Sequence, residues 1–214
     1  MKKEKPKIII FASGSKDGGG SGFENLVLKS RENDSAVNYE VVAVVSNHEF
    51  GGVRERAEKL GVPFIYFEKP YSAERYKEIV ENSGAQWTAL SGWLKLVKEL
   101  DATKTINIHP GNPEKFGGNG MYGDYVHKAV LEKGEKETQV AMHFVTKEYD
   151  EGPVFFRFPV EVKKDDTVET LRNRVNEAEH KYQPIITSLV ANGEISWDGV
   201  DKYTLKVPEG YQWL

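Results

Sequence analysis

The chain has 214 residues, 39% hydrophobic and 29% charged, the proportions of a globular protein long enough to bury its own core without staples. A formal net charge of −4 argues against a nucleic-acid binder that works by neutralising phosphates, and no apolar stretch approaches the length that spans a bilayer. The absence of cysteine excludes disulfides, thiolate catalysis and cysteine-ligated zinc, and it fits a cytoplasmic protein.

The opening "MKKEKPKIIIFASGS" holds too short an apolar run for a signal peptide. Within it, residues 7–12 (KIIIFA) read as a buried strand that ends in a loop of Gly, Ser and Asp. Residues 23–30 carry helical spacing, and 40–45 (EVVAVV) form a second continuous apolar run. Residues 52–60 are helical in composition and close at Gly61, a C-cap residue. A third strand is expected at 63–67, a helix at 72–82, and further strands at 87–92 and 105–109. Strands alternating with helices at this spacing predict an α/β fold: a doubly wound, mostly parallel, Rossmann-like sheet covered on both faces. After His109 the pattern changes. Residues 111–123, rich in Gly, Pro and Asn, are expected as a loop, and 125–133 as a helix with Gly134 at its end. Residues 139–146 and 154–162 read as strands added antiparallel to the sheet. A long helix over 167–190 opens on Asp-Asp-Thr, with Pro184 expected to kink or split it; short strands are expected beyond Asn192. No repeat or long linker interrupts the chain, which predicts a single domain over 1–214.

Two stretches carry candidate chemistry. The first is "SGSKDGGGSGFENL" (13–26), between the first strand and the first helix. Backbone N–H groups of Gly18, Gly19, Gly20, Ser21 and Gly22 at a helix N-terminus suit a phosphate, although the spacing is neither a Walker A loop nor a dinucleotide fingerprint. The alternative is a flexible turn. The second stretch is "TINIHP". Asn107 and His109 alternate with Ile106 and Ile108, so amide and imidazole share one face, and Pro110 ends the strand. Asp150 lies in "TKEYDEGPV", a turn-forming stretch between two strands, and a carboxylate beside His109 is expected to raise its pKa and fix its tautomer. With no Cys and no Gly-x-Ser-x-Gly elbow, an Asn/His/Asp set suits acyl transfer to an external nucleophile; the alternative is ordinary polar residues at a strand end. His48, His127 and His143 are expected to be structural. No metal site is suggested, since the histidines are scattered without carboxylates at ligand spacing.

The segments "INIHPGNPEKFGG", "VAMHFVTKEYDEGPVFF", "ALSGWLKLV" and "VNEAEHKYQP" resemble the formyltransferases that use 10-formyltetrahydrofolate, and the likeness spans nearly the whole chain. The Asn-x-His-Pro strand end followed about 40 residues later by Asp-x-Gly-Pro is specific to that superfamily. The resemblance implies the formyltransferase fold, with a phosphate-binding Rossmann-like half over 1–110 and a folate-binding and catalytic half over 111–214 that includes a C-terminal extension. It implies purine biosynthesis, with 10-formyltetrahydrofolate as formyl donor and the amine of glycinamide ribonucleotide as acceptor. Asn107 and protonated His109 are then expected to stabilise the oxyanion, while Asp150 supports His109 and proton transfer. Gly19, Gly20, Ser21 and Gly22 are expected to hold the phosphate, and Glu179 the amine. Leu94, Lys95, Leu96, Val97, Val145 and Thr146 are expected to border the folate. A monomer or homodimer is implied, with no nucleic-acid or membrane partner.

The sequence departs from that family's pattern on the acceptor side. The glycine loop is longer, and Gly22-Phe23 replaces the Asn expected after Ser21, which implies an extended or mobile cradle. Ala73 stands where a phosphate-binding basic residue is expected, with Arg75 nearby. "GNPEKFGGNGMYGDYVH" replaces a shorter segment after His109, and Met121, Tyr122 and His127 in it either line the acceptor site or pack the loop. Another amine acceptor, such as a nucleotide-linked amino sugar, hydrolysis of the formyl folate, and a non-catalytic phosphate-ester binder are the competing readings.

Overall fold

Seven strands form one sheet in the order β3-β2-β1-β4-β5-β6-β7 in the computed structural model, which describes residues 4–214. The strands are β1 (Lys7–Phe11), β2 (Glu40–Ser46), β3 (Phe64–Tyr66), β4 (Trp87–Leu90), β5 (Thr105–His109), β6 (Glu137–Phe144) and β7 (Val154–Glu161). Neighbours from β3 to β5 are parallel, and β6 and β7 are added antiparallel beside β5. The helices are α1 (Ser21–Arg31), α2 (Gly52–Leu60), α3 (Ala73–Ser83), α4 (Pro113–Phe116), α5 (Asp124–Glu132) and α6 (Val168–Ala191).

The continuous apolar strands follow from burial on both faces. Ile8 and Ile10 pack into one core with Phe23 and Leu26 of α1, Val53 of α2, Val130 of α5 and Val175 of α6. Ile9 and Phe11, their alternates, pack into a second core with Tyr76 of α3, Phe67 and Trp93. Each large side chain so buried contributes roughly 1.5–3 kcal/mol. The chain leaves β1 for β2 on one side and later returns to β4 on the other. That reversal opens a crevice at the carboxyl ends of β1 and β4, the usual ligand position of such sheets.

Three expectations need correction. The stretch 111–123 is not loop throughout, because Asn112 caps a short helix, α4, by accepting from the Glu114 N–H with Pro113 in its first turn. Pro184 does not split α6, which runs unbroken over 24 residues. Its start is fixed by a reciprocal capping box between Thr167 and Thr170. The tail forms no strand pair; it makes one isolated bridge, Ser196 to Lys206, and a 3-10 turn over Lys202–Thr204. Its anchors are aromatic: Trp197 meets Phe144 at 5.7 Å, and Trp213 lies among Phe156, Phe158 and Tyr182.

Candidate active site

The crevice holds a cavity of about 310 Å³ walled by the ends of β4 and β5, the start of α1, residues 118–123, Tyr149 and Asp150, and one side of α6. The sequence explains how these parts come together. β1 runs into Ser13, whose hydroxyl accepts from the Leu94 N–H at 3.0 Å, while its N–H donates to the Gly92 carbonyl at 2.9 Å. The turn after β4 is thereby pinned to the end of β1. α1 approaches this turn so closely that a Cβ on Gly22 would lie 2.3 Å from the Ser91 hydroxyl, so any larger residue in place of Gly22 must turn that hydroxyl aside. The extension of the glycine loop folds into a tight turn closed by the Ser15 N–H to the Gly18 carbonyl at 2.9 Å.

Asn107, His109 and Asp150 meet at the far wall. Asn107 Nδ2 lies 3.4 Å from Asp150 Oδ1, and His109 Nδ1 lies 3.7 Å from Asp150 Oδ2. The 149–154 turn that delivers Asp150 is under two constraints. Asp150 itself has φ 56°, in the left-handed region. A Cβ on Gly152 would stand 1.7 Å from the Phe144 carbonyl oxygen, so only glycine lets the turn close onto β6. The Gly118 N–H donates to Asp150 Oδ2 at 3.0 Å, which ties the segment after α4 to the carboxylate.

His143, expected to be structural, belongs to this cluster. The antiparallel register of β5 and β6 sets it opposite Asn107. Its Nδ1 lies 2.8 Å from the Phe144 carbonyl, which requires a proton on Nδ1 and leaves Nε2 to accept from Asn107 Nδ2 at 3.0 Å. Nε2 is also 3.4 Å from Asp150 Oδ1. One Asn107 amide hydrogen is therefore held by His143, and the other is only loosely shared with Asp150. The signal for His143 was pairwise: it becomes visible only when 105–109 and 137–144 are laid antiparallel in the correct register.

The electrostatics differ from the expectation at His109. Burial lowers its pKa, and this outweighs the opposing effects of Asp150 and the Phe116 carbonyl. The imidazole is therefore neutral at pH 7. Its Nε2 lies 2.9 Å from the Phe116 carbonyl, which selects the Nε2–H tautomer and leaves Nδ1 unprotonated toward Asp150. Burial acts to raise the pKa of Asp150, but the pull of His143 and His109 in their protonated forms, with the Gly118 N–H, holds it below the ordinary aspartate value. Asp150 is thus ionised beside His109.

The other expected residues divide among three places. Gly20, Ser21 and Gly22 line the cavity; Gly19 does not, because its carbonyl turns to Arg56 of α2. Glu179, Met121, Tyr122 and His127 line it as well, and burial raises the Glu179 carboxyl to about 7. His127 is buried, its Nδ1 has no partner among the described residues, and burial lowers it to about 4. Leu94 borders the same cavity, whereas Lys95, Leu96, Val97, Val145 and Thr146 line a narrow adjoining pocket with Trp93 and His143. Trp93, Asn107, Tyr149 and Asp150 line both. Arg75 is remote, in a separate groove with Pro63 and Glu78. Sequence reasoning also passed over Ser91, Tyr149, Arg172, Asn176 and Gln183, polar residues whose place in the wall depends on helix and strand packing.

Two cavities that share a wall of amide and carboxylate, with imidazoles nearby, define an α/β protein of the acyl-transfer class. The chain belongs to the formyl transferase family, whose model matches residues 6–187. It is 34% identical over 207 residues to the chloroplastic phosphoribosylglycinamide formyltransferase of Arabidopsis thaliana, an alignment covering 91% of this chain and 69% of that protein. It is 32% identical over 206 residues to the trifunctional purine biosynthetic protein adenosine-3 of Gallus gallus, covering 91% of this chain and 19% of that much longer protein. Among solved structures, glycinamide ribonucleotide transformylase 1 from Symbiobacterium toebii superposes with a TM-score of 0.82 at 26% identity, covering 96% of this chain and 95% of that one.

Proposed function

We propose that this chain transfers the formyl group of 10-formyltetrahydrofolate to the amine of glycinamide ribonucleotide, a step of purine biosynthesis. The observation that carries the reading is the shared wall: Asn107, Tyr149 and Asp150 border both the large cavity and the narrow pocket, so groups entering from each meet at the same side chains. The narrow pocket, bordered by Lys95–Val97 and Val145–Thr146, takes the pterin end of the donor. The large cavity takes the acceptor, with its phosphate at Gly20, Ser21 and Gly22 and its amine beside Glu179. Donors at a helix N-terminus suit the phosphate, and a carboxyl at about 7 changes charge in the range where an amine must be both held and released.

In the reaction the amine nitrogen forms a bond to the formyl carbon, the bond from that carbon to the folate nitrogen breaks, and one proton leaves the amine as one reaches the leaving nitrogen. The loosely held amide hydrogen of Asn107 is placed to turn toward the developing oxyanion. Neutral His109 carries an open Nδ1 toward Asp150, so a proton taken there forms an imidazolium flanked by the carboxylate and the Phe116 carbonyl. The test is release of tetrahydrofolate from 10-formyltetrahydrofolate with and without glycinamide ribonucleotide. Acceptor-dependent release with formation of formylglycinamide ribonucleotide is expected; release at the same rate without acceptor would mean hydrolysis instead.

A further inference from the structure

Arg56 lies outside the cavity, on α2, yet it is bonded to the glycine loop. Its Nε donates to the Gly19 carbonyl at 3.1 Å, and its Nη1 pairs with Glu24 in the first turn of α1. α2 itself is pressed against the loop: a Cβ on Gly52 would stand 2.5 Å from the Gly18 carbonyl carbon, and one on Gly20 would stand 3.0 Å from Val53 Cγ2. The Gly19–Gly20 peptide is trans, so its C=O and N–H point in opposite directions. A carbonyl drawn to Arg56 therefore turns the Gly20 N–H away from α2. Gly20 lines the cavity, no described residue accepts from its N–H, and α1 has no side-chain cap to compete for the donors of its first turn.

Resting on the reading that the glycine loop takes the acceptor's phosphate, we propose that Arg56 is the positioning residue of that cradle. It holds the Gly19 carbonyl so that the Gly20 N–H faces the phosphate, and its ion pair offsets the Glu24 carboxylate, which would otherwise repel an anion at the same helix end. Two glycines at φ 84° and 82° have no side chain to fix this peptide plane, so an outside donor is needed to choose its orientation.

The experiment compares two acceptors, glycinamide ribonucleotide and its dephosphorylated nucleoside, in the wild type, R56A and R56K. In R56A the KM for the phosphorylated acceptor is expected to rise about tenfold, the scale of one hydrogen bond to a charged group, with kcat changed by less than about twofold. Kinetics with the nucleoside should not change, and R56K, which keeps a donor and a charge, should recover most of the loss. Equal losses on both acceptors in R56A and R56K, or an unchanged KM for the phosphorylated one, would overturn the assignment. A wild type that uses the nucleoside as well as the nucleotide would overturn the phosphate reading of the loop, and this inference with it. Thermal melting of all three proteins separates a misfolded R56A from a repositioned loop, and R56K keeps the test decisive if R56A is unfolded.

Discussion

His109 and Asp150 divide the charge at the centre of the site unequally, and the division has a measurable consequence. Burial favours the neutral imidazole, while the neighbours of Asp150 favour its ionised carboxylate. Asn107→Ala and Asp150→Ala are each expected to lower kcat by about 10²–10³-fold, the usual cost of removing a transition-state partner, with far-UV circular dichroism unchanged. Glu179 gives a second prediction, on stability. Its carboxyl, raised by burial from 4.5 to about 7, binds its proton more tightly in the folded than in the unfolded state. The folded protein therefore carries the extra proton between pH 4.5 and 7, and stability falls as pH rises through that window. Above it, Glu179→Gln should be more stable than the wild type by on the order of 1–3 kcal/mol; at pH 4.5 the two should match. Urea unfolding at both pH values measures the difference, and loss of acceptor binding in the same variant would show stability exchanged for function.

At the scale of elements, the turn between β6 and β7 is held by steric fit. Asp150 is in the left-handed region, and Gly152 passes within reach of the Phe144 carbonyl where no Cβ fits. Gly152→Ala must push the turn off β6, and more than about 3 kcal/mol of destabilisation is expected from a contact that backbone atoms cannot relieve. Chemical denaturation gives the stability, and activity should fall further than stability does because Asp150 moves with the turn. The same segment shows why the short helix α4 matters. It sets the Phe116 carbonyl against His109, and the segment that follows sets the Gly118 N–H against Asp150. An insertion that reads as loop thus provides two of the polar partners of the site.

For the molecule as a whole, both cavities draw on segments far apart in the chain, from Gly20 to Gln183, that meet only along the carboxyl edge of the sheet. A ligand there would touch α1, β4, β5, the 149–154 turn and α6, a surface the unfolded chain does not assemble. Glycinamide ribonucleotide at about 100 times its Kd should therefore raise the unfolding free energy by about 2.7 kcal/mol, read as a rise in melting temperature. Arg56→Ala should show a smaller rise at the same ligand concentration.

The sequence by itself determined the layered α/β arrangement, because short β-branched apolar runs such as KIIIF and EVVAVV, alternating with amphipathic helical segments, suit strands covered on both faces. It also determined that Asn107 and His109 share a face, since the two-residue period of a strand is local geometry. The glycine loop drew attention by its place between the first strand and the first helix, and Glu179 by the family likeness carried by short motifs. Only the tertiary structure decided the rest. The place of His143 depends on antiparallel register, the neutrality of His109 on how completely it is buried, the fate of Pro184 on the packing around α6, and the attachment of Arg56 to Gly19 on α2 lying against the loop. Each is set by distances between residues remote in sequence. Local propensity and spacing report the backbone of each segment, and desolvation and hydrogen bonding between segments exist only once those segments meet.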